Sequence, residues 1–192
     1  MSDDRIVYCE FDSPLGPMIA GATTKGVCFL EWHDRGGTER IRERVEKRYR
    51  RAVVPGSNAH LELLQRELDG YFTGKLKKFK TSIDVTGTPF ELTVWEQLRT
   101  IPYGETLSYG GMALALGKTG AQRAVGRANG ANYVSIVIPC HRVIDSNGNL
   151  HGYGGGLWRK KWLLELEQGL GIPEVEKNVS ASSRVSRSLQ LL

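Results

Sequence analysis

A cysteine and a histidine stand side by side at residues 140 and 141, within IVIPCHRVIDSNGNLHGYGGG (residues 136–156). A buried cysteine is most often a small hydrophobe; a thiol beside an imidazole can also bind metal or act as a nucleophile. The thiolate is the reactive form, and a free thiol with a pKa near ~8.5 is mostly protonated at neutral pH. A nearby base raises the nucleophilic fraction, and that base needs a carboxylate to orient it. Asp145, Glu165 and Glu167 lie downstream, and spacing does not choose among them. Successive side chains on an extended segment point to opposite sides. His141 is therefore expected to reach Cys140 through a bridging water.

The other two cysteines, Cys9 and Cys28, lie far apart in apolar stretches and read as packed thiols. An odd, scattered set of three without a CxxC pair argues against a disulfide framework and against zinc. Cys28 and His33 do not complete a ligand set, so no metal and no cofactor is expected. Net charge is +5, which favours an anionic partner such as nucleic acid. MSDDRIVYCE carries no signal-peptide core, and no apolar run reaches transmembrane length. A soluble, cytoplasmic protein without a membrane partner is expected, or a nuclear one in a eukaryote.

RIVYCEF and MIAGATTKGVCFLEW alternate like strands around the turn signal DSPLGP, predicting a three-stranded antiparallel sheet. GGTERIRERVEKRYRRA reads as a charged, solvated helix. NAHLELLQRELDGYFTGK reads as an amphipathic helix with Leu61, Leu64, Leu68 and Phe72 inward, Asn58 as N-cap and Gly74 as stop. After a linker, TPFELTVWEQLRTI opens a helix with a Thr88–Glu91 capping box and Pro89 in its first position. Its apolar face holds Phe90, Val94, Trp95 and Leu98. SYGGMALALG and AQRAVGRANG, joined by KTG, have the helix-turn-helix pattern, a weak signal by itself. Val134, Ile136, Val137 and Ile138 read as a buried strand or extended segment, halted by Pro139, that delivers Cys140 to a wall. LWRKKWLLELEQ is the last helix, with Trp158 and Trp162 packing at i, i+4. His60 and His151 read as surface residues.

The sequence thus reads as an α+β chain with a small N-terminal domain over residues 1–85 and a mainly helical domain over 86–171. The Ser-rich segment 172–192 is expected to be a disordered tail.

IPCHRVI followed by GYGGGLWRKKWLLELE resembles the active-site block of the O6-alkylguanine-DNA alkyltransferases. TPFELTVWEQLRTIPYGETLSYG and QRAVGRANGANYVSIVIPCHRV are similar to the preceding blocks of that family, and FDSPLGPM more weakly to its N-terminal start. The resemblance is strong over roughly residues 86–168 and implies a ribonuclease-H-like N-terminal domain. It implies direct, irreversible, stoichiometric transfer of the alkyl group from O6-alkylguanine in double-stranded DNA to a cysteine, with O4-alkylthymine as a further candidate substrate. By position, Cys140 is the acceptor, His141 the base acting through water, and Glu167 the carboxylate that orients it. Asn132 matches the asparagine that braces the active-site turn, and Tyr109 the tyrosine that hydrogen-bonds the base. Val143, Tyr153, Gly154 and Lys160 fall at the substrate pocket, Lys160 at its rim. The attacked atom is out of reach inside a duplex, so the base must be flipped. Arg123 matches the arginine that fills the vacated stack. Ala121, Ala124 and Gly126 suit a narrow minor groove, Gln122 stands where relatives often carry a small residue, and Arg127 is a candidate phosphate contact. A monomer in solution is expected, with cooperative assembly on DNA left open.

Three rivals make different predictions. A lesion-binding relative would lack the acceptor cysteine, whereas this chain has Cys140. A Cys-His hydrolase would turn over repeatedly. A sequence-specific transcription factor would prefer one site, whereas repair binds nearly independently of sequence.

Overall fold

The computed structural model describes residues 5–177, 179 and 180. The expectations for the extreme N-terminus and for most of the tail lie outside the described residues. Two compact units emerge: Met1–Thr86 with Tyr133–Ser135, and Gly87–Asn132 with Ile136–Leu192.

The first unit is built on a sheet of β1 (Ile6–Phe11), β2 (Met18–Ala22), β3 (Val27–Trp32) and β4 (Val53–Pro55) in the order β3-β2-β1-β4. The first three strands are antiparallel, as their alternation predicts. β4 is the departure: it pairs parallel to β1 with Ile6 opposite Val53. Three residues are too few to show a period, and a parallel partner brought in across a long connection leaves no local signal. β2 and β3 are buried along their whole length. Close packing sets Gly21, where a Cβ would collide with the Phe29 ring. Two helices complete this unit. α1 (Gly37–Tyr49) buries Ile41 and Val45 and keeps its charged face in solvent. α2 (Ala59–Phe72) starts at Asn58, whose side chain accepts from the backbone N–H groups of His60 and Leu61. It buries Leu61, Leu64, Leu68, Tyr71 and Phe72. Residues 133–135 join this unit because Leu30 N–H donates to Tyr133 O and Ser135 N–H to Leu30 O, each at 2.9 Å.

The second unit is helical. α3 (Pro89–Arg99) has the reciprocal Thr88–Glu91 capping box and buries Val94, Trp95 and Leu98. β5 (Leu107–Ser108) leads into α4 (Tyr109–Ala115), which is capped by Ser108. α5 (Gln122–Gly130) follows a turn in which Gly117 and Gly120 take positive φ. The Trp95 indole N–H donates to Ala128 O at 2.9 Å, fixing α3 against α5. β6 (Val143–Ile144) pairs with β5, and α6 (Leu157–Glu167) closes the unit. In the described part of the tail no helix or strand forms. Trp162 nevertheless donates to Pro173 O, Lys161 pairs with Glu176 at 2.8 Å, and Val179 packs on the cluster of Ile144, Leu150 and Leu164.

The apolar run before Cys140 is not a strand. It turns, with Ile136 at φ 70°. A β-branched residue in the left-handed region costs about 1–3 kcal/mol and persists only where its surroundings over-determine it. Apolar composition alone does not separate a buried turn from a buried strand, which is why the sequence misleads here. The residues after Pro139 form a 3-10 turn, Cys140–Arg142. With three residues per turn, successive side chains fan out by about 120° rather than alternating.

Candidate active site

The turn and three flanking elements converge on Cys140, which is 6% exposed. α5 and its C-terminal extension supply two buried amides. Asn132 Nδ2 donates to Ile138 O at 2.9 Å and lies 3.1 Å from Cys140 Sγ. The first bond holds the strained turn, and the second places an N–H dipole on the sulfur, where it favours the thiolate. Asn129 Nδ2 donates to Cys140 O at 3.3 Å.

His141 is fully buried, and its Nε2 lies 2.8 Å from Glu167 Oε1 at the end of α6. An ionised carboxylate only accepts, so the proton of this bond sits on Nε2 and the lone pair on Nδ1. Burial, aided by the nearby Arg142 and Lys160 charges, lowers the His141 pKa against the opposing pull of Glu167. The imidazole is therefore neutral near pH 7 and able to take a proton. Burial alone would raise the Glu167 carboxyl. Hydrogen bonds and charge from His141 and Arg142 outweigh it and hold the carboxyl well below the usual carboxylate range. The permanent charge is that of Arg142, which grips Glu167 with Nε at 2.8 Å and Nη2 at 3.0 Å and donates Nη1 to Ile101 O at 2.6 Å. Gly104 N–H adds a fourth donor to the same carboxylate. Spacing left three acids open, and geometry separates them. Asp145 lies 3.6 Å from His151 and Glu165 3.6 Å from Lys161.

Arg142, Asn129 and Gly104 were given no role from sequence. Arg142 sits inside the motif next to the two reactive residues, but an arginine there reads equally well as a solvated charge. Only the fold shows it 7% exposed against Glu167.

Lys160 corrects an expectation. It is not at a rim but fully buried, and its ammonium donates to Val143 O and His151 O at 2.6 Å each. Burial lowers its pKa to about 8. Two carbonyls define a deep polar anchor for an ammonium, so the side chain turns inward instead of snorkelling. It thereby ties β6 to the loop that carries Tyr153 and Gly154. Tyr153 is half-buried and Gly154 exposed.

Tyr109, at the start of α4, has its hydroxyl 3.4 Å from His151 O. Burial pushes its pKa up to about 12, so it stays a donor. Tyr109 opens onto a cleft of about 410 Å³ whose lining includes Gln122, Arg123, Gly126 and Asp145. Arg123, Gln122 and Arg127 are exposed along α5, while Ala121, Ala124 and Gly126 are half-buried beside them. The helix thus shows small residues and arginines on its open side. Trp162 is buried, Trp158 lies under the Arg159 guanidinium, His151 is exposed and His60 is half-buried.

Residues 89–169 match the family model described as the DNA-binding domain of 6-O-methylguanine DNA methyltransferase. The chain is 43% identical over 164 residues to the methylated-DNA–protein-cysteine methyltransferase of Mycobacterium leprae, covering 85% of this chain and 93% of that one. It is 42% identical over 176 residues to the Salmonella typhimurium protein of the same name, covering 85% and 96%. Among solved structures, Mycobacterium tuberculosis OGT in complex with DNA superposes with TM-score 0.74 at 40% identity, covering 86% and 94%. The O6-methylguanine-DNA methyltransferase of Pyrococcus kodakaraensis gives TM-score 0.61 at 28% identity, covering 84% and 98%.

Proposed function

The chain belongs to the methylated-DNA–protein-cysteine methyltransferase family, and from that premise we propose how its own residues carry out the transfer. It is a DNA-repair enzyme that moves the alkyl group of O6-alkylguanine in DNA onto a cysteine of its own chain.

Cys140 is the acceptor. Neutral His141 takes the thiol proton at Nδ1 through a bridging water, and the imidazolium is stabilised by Glu167, itself kept ionised by Arg142. The thiolate attacks the alkyl carbon; the S–C bond forms as the C–O6 bond breaks. The electron pair leaves on guanine, where the Tyr109 hydroxyl and the Gly154 N–H stabilise it. Val143 O, positioned by Lys160, accepts from the exocyclic amine, and Tyr153 lies against the ring. The thioether is stable, so each chain acts once. The observation that carries this reading is the contact chain Asn132–Cys140 and His141–Glu167–Arg142, which brings the orienter at the end of α6 to the buried turn that holds nucleophile and base.

Intact mass after incubation with duplex DNA carrying O6-methylguanine tests it. One added alkyl group per chain, mapped to Cys140, is expected. No gain, or more than one repaired base per protein, would overturn it.

The target base must leave the stack to reach a thiol this deeply placed. Arg123, exposed on α5 beside the cleft with Tyr109, fills the vacated space. Arg123→Ala should slow transfer from duplex DNA by about tenfold or more, the loss of one to a few kcal/mol of stacking and charge. Transfer from the free O6-alkylguanine base should stay unchanged. Equal slowing of both substrates, in single-turnover kinetics, would remove this role.

A further inference from the structure

The active-site unit leaves a lysine-rich segment of the molecule unused. GKLKKFK, residues 74–80, puts four of the ten lysines of the chain within six positions. Lys75, Lys77, Lys78 and Lys80 are all exposed, while Leu76 and Phe79 between them turn inward. No Asp or Glu occurs from Gly70 to Ile83. Replacing these four lysines by neutral residues would take the formal net charge from +5 to +1 (5 − 4).

The segment is also fixed. The N–H groups of Lys75 and Leu76 both donate to Gly70 O at 2.9 Å, and Gly74 makes the turn at φ 71°. Phe79 packs on Tyr71 with ring centroids 5.5 Å apart. The Glu67 carboxylate, 4% exposed, accepts from Lys80 N at 2.7 Å, Thr81 N at 3.0 Å and Thr81 Oγ1 at 2.6 Å. A charge run that only keeps a protein soluble has no need of a buried carboxylate holding its backbone. An ordered backbone lowers the entropy lost when the lysines engage a partner. The five intervals from Lys75 to Lys80 span at most about 17 Å. One strand of a duplex presents a phosphate about every 3.4 Å of axis, or about five over that length.

We infer that the Lys75–Lys80 loop is a second, sequence-independent DNA contact that grips backbone phosphates outside the active-site unit. It adds affinity for undamaged duplex and so holds the protein on DNA between lesions. The inference rests on DNA being the substrate of the Cys140 site, but it concerns a different surface.

The test uses the full chain with all four lysines changed to glutamine, alongside a version with all four changed to arginine. Binding to an undamaged duplex is followed by fluorescence anisotropy against salt concentration. Each phosphate contact contributes about 0.9 to the slope of log K against log salt. The glutamine variant should lose about 3 to 4 from that slope and at least about tenfold in affinity at low salt. The arginine variant should keep both. Melting temperature and transfer from free O6-alkylguanine to Cys140 should match wild type in each, which separates this surface from the chemistry. A glutamine variant with an unchanged slope overturns the inference, whether or not it loses affinity for anionic phospholipid vesicles.

Discussion

Cys140→Ser gives a protein that folds and binds duplex DNA but transfers no alkyl group. The substitution is nearly isosteric, and Asn132 Nδ2, now 3.1 Å from the sulfur, can donate to a hydroxyl instead. The buried turn therefore keeps its brace to Ile138 O. What disappears is the nucleophile: a serine hydroxyl holds its proton far more tightly than a thiol, and neutral His141 is too weak a base to remove it. Neither remaining cysteine substitutes. Burial raises the thiol pKa of Cys9, and raises that of Cys28 to about 12, where the charge of Asp84 adds to the effect. Both stay protonated at neutral pH and unreactive. Intact mass after incubation with O6-methylguanine duplex should show no adduct, while a gel shift on the same DNA persists. An adduct on any residue of the serine variant would sink the assignment.

Glu167→Gln should be the most damaging single change to the site that leaves Cys140 in place. The carboxylate accepts from His141, twice from Arg142 and from Gly104 N. An amide retains one acceptor oxygen and turns its NH2 toward donors. Arg142, 7% exposed, is left a buried cation without its counter-charge. Breaking one side of a buried pair typically costs about 3–5 kcal/mol. The chemistry suffers separately: with no carboxylate to stabilise the imidazolium, transfer should slow by about 10²-fold or more, the usual worth of a positioned base. Single-turnover rates taken well below the melting temperature of the variant divide the two effects. A variant with wild-type stability and rate would remove Glu167 from both roles.

The same network sets the response to acid. Glu167 has a depressed folded pKa, so the stability it contributes is present above its ordinary value of 4.5 and is lost as pH falls toward the folded value. His141 is also depressed, because the fold favours its neutral form. Below its ordinary value of 6.5 the unfolded chain takes up a proton that the folded chain refuses, so stability falls there as well. Wild type should therefore lose stability in two stages on acidification. Glu167→Gln lacks the second stage, so its melting-temperature deficit narrows below pH 4.5. A deficit that stays constant to about pH 3 would argue that the fold does not hold this carboxyl below its ordinary range.

Local patterns in the sequence determined a good deal of this. The capping box at Thr88 and Glu91, the Asn58 cap, the apolar faces of α2 and α3 and the two short helices around KTG are interactions over three or four residues, and such spacings can be read directly. The motif around Cys140 likewise pointed to its chemistry through residue types in a fixed order. The tertiary structure alone decided what depends on residues distant in the chain. β4 finds β1 across more than forty positions of sequence. The run before Cys140 turns, with Ile136 in the left-handed region, because Asn132 reaches Ile138 O. Glu167 faces His141 while Asp145 and Glu165 face other partners. Lys160, expected at a pocket rim, and Arg142, given no role, are buried because carbonyls and a carboxylate await them inside. Periodicity records which face of an element is apolar. It does not record which buried acceptor a charged side chain will meet, since that partner is supplied by another element, and only packing brings the two together.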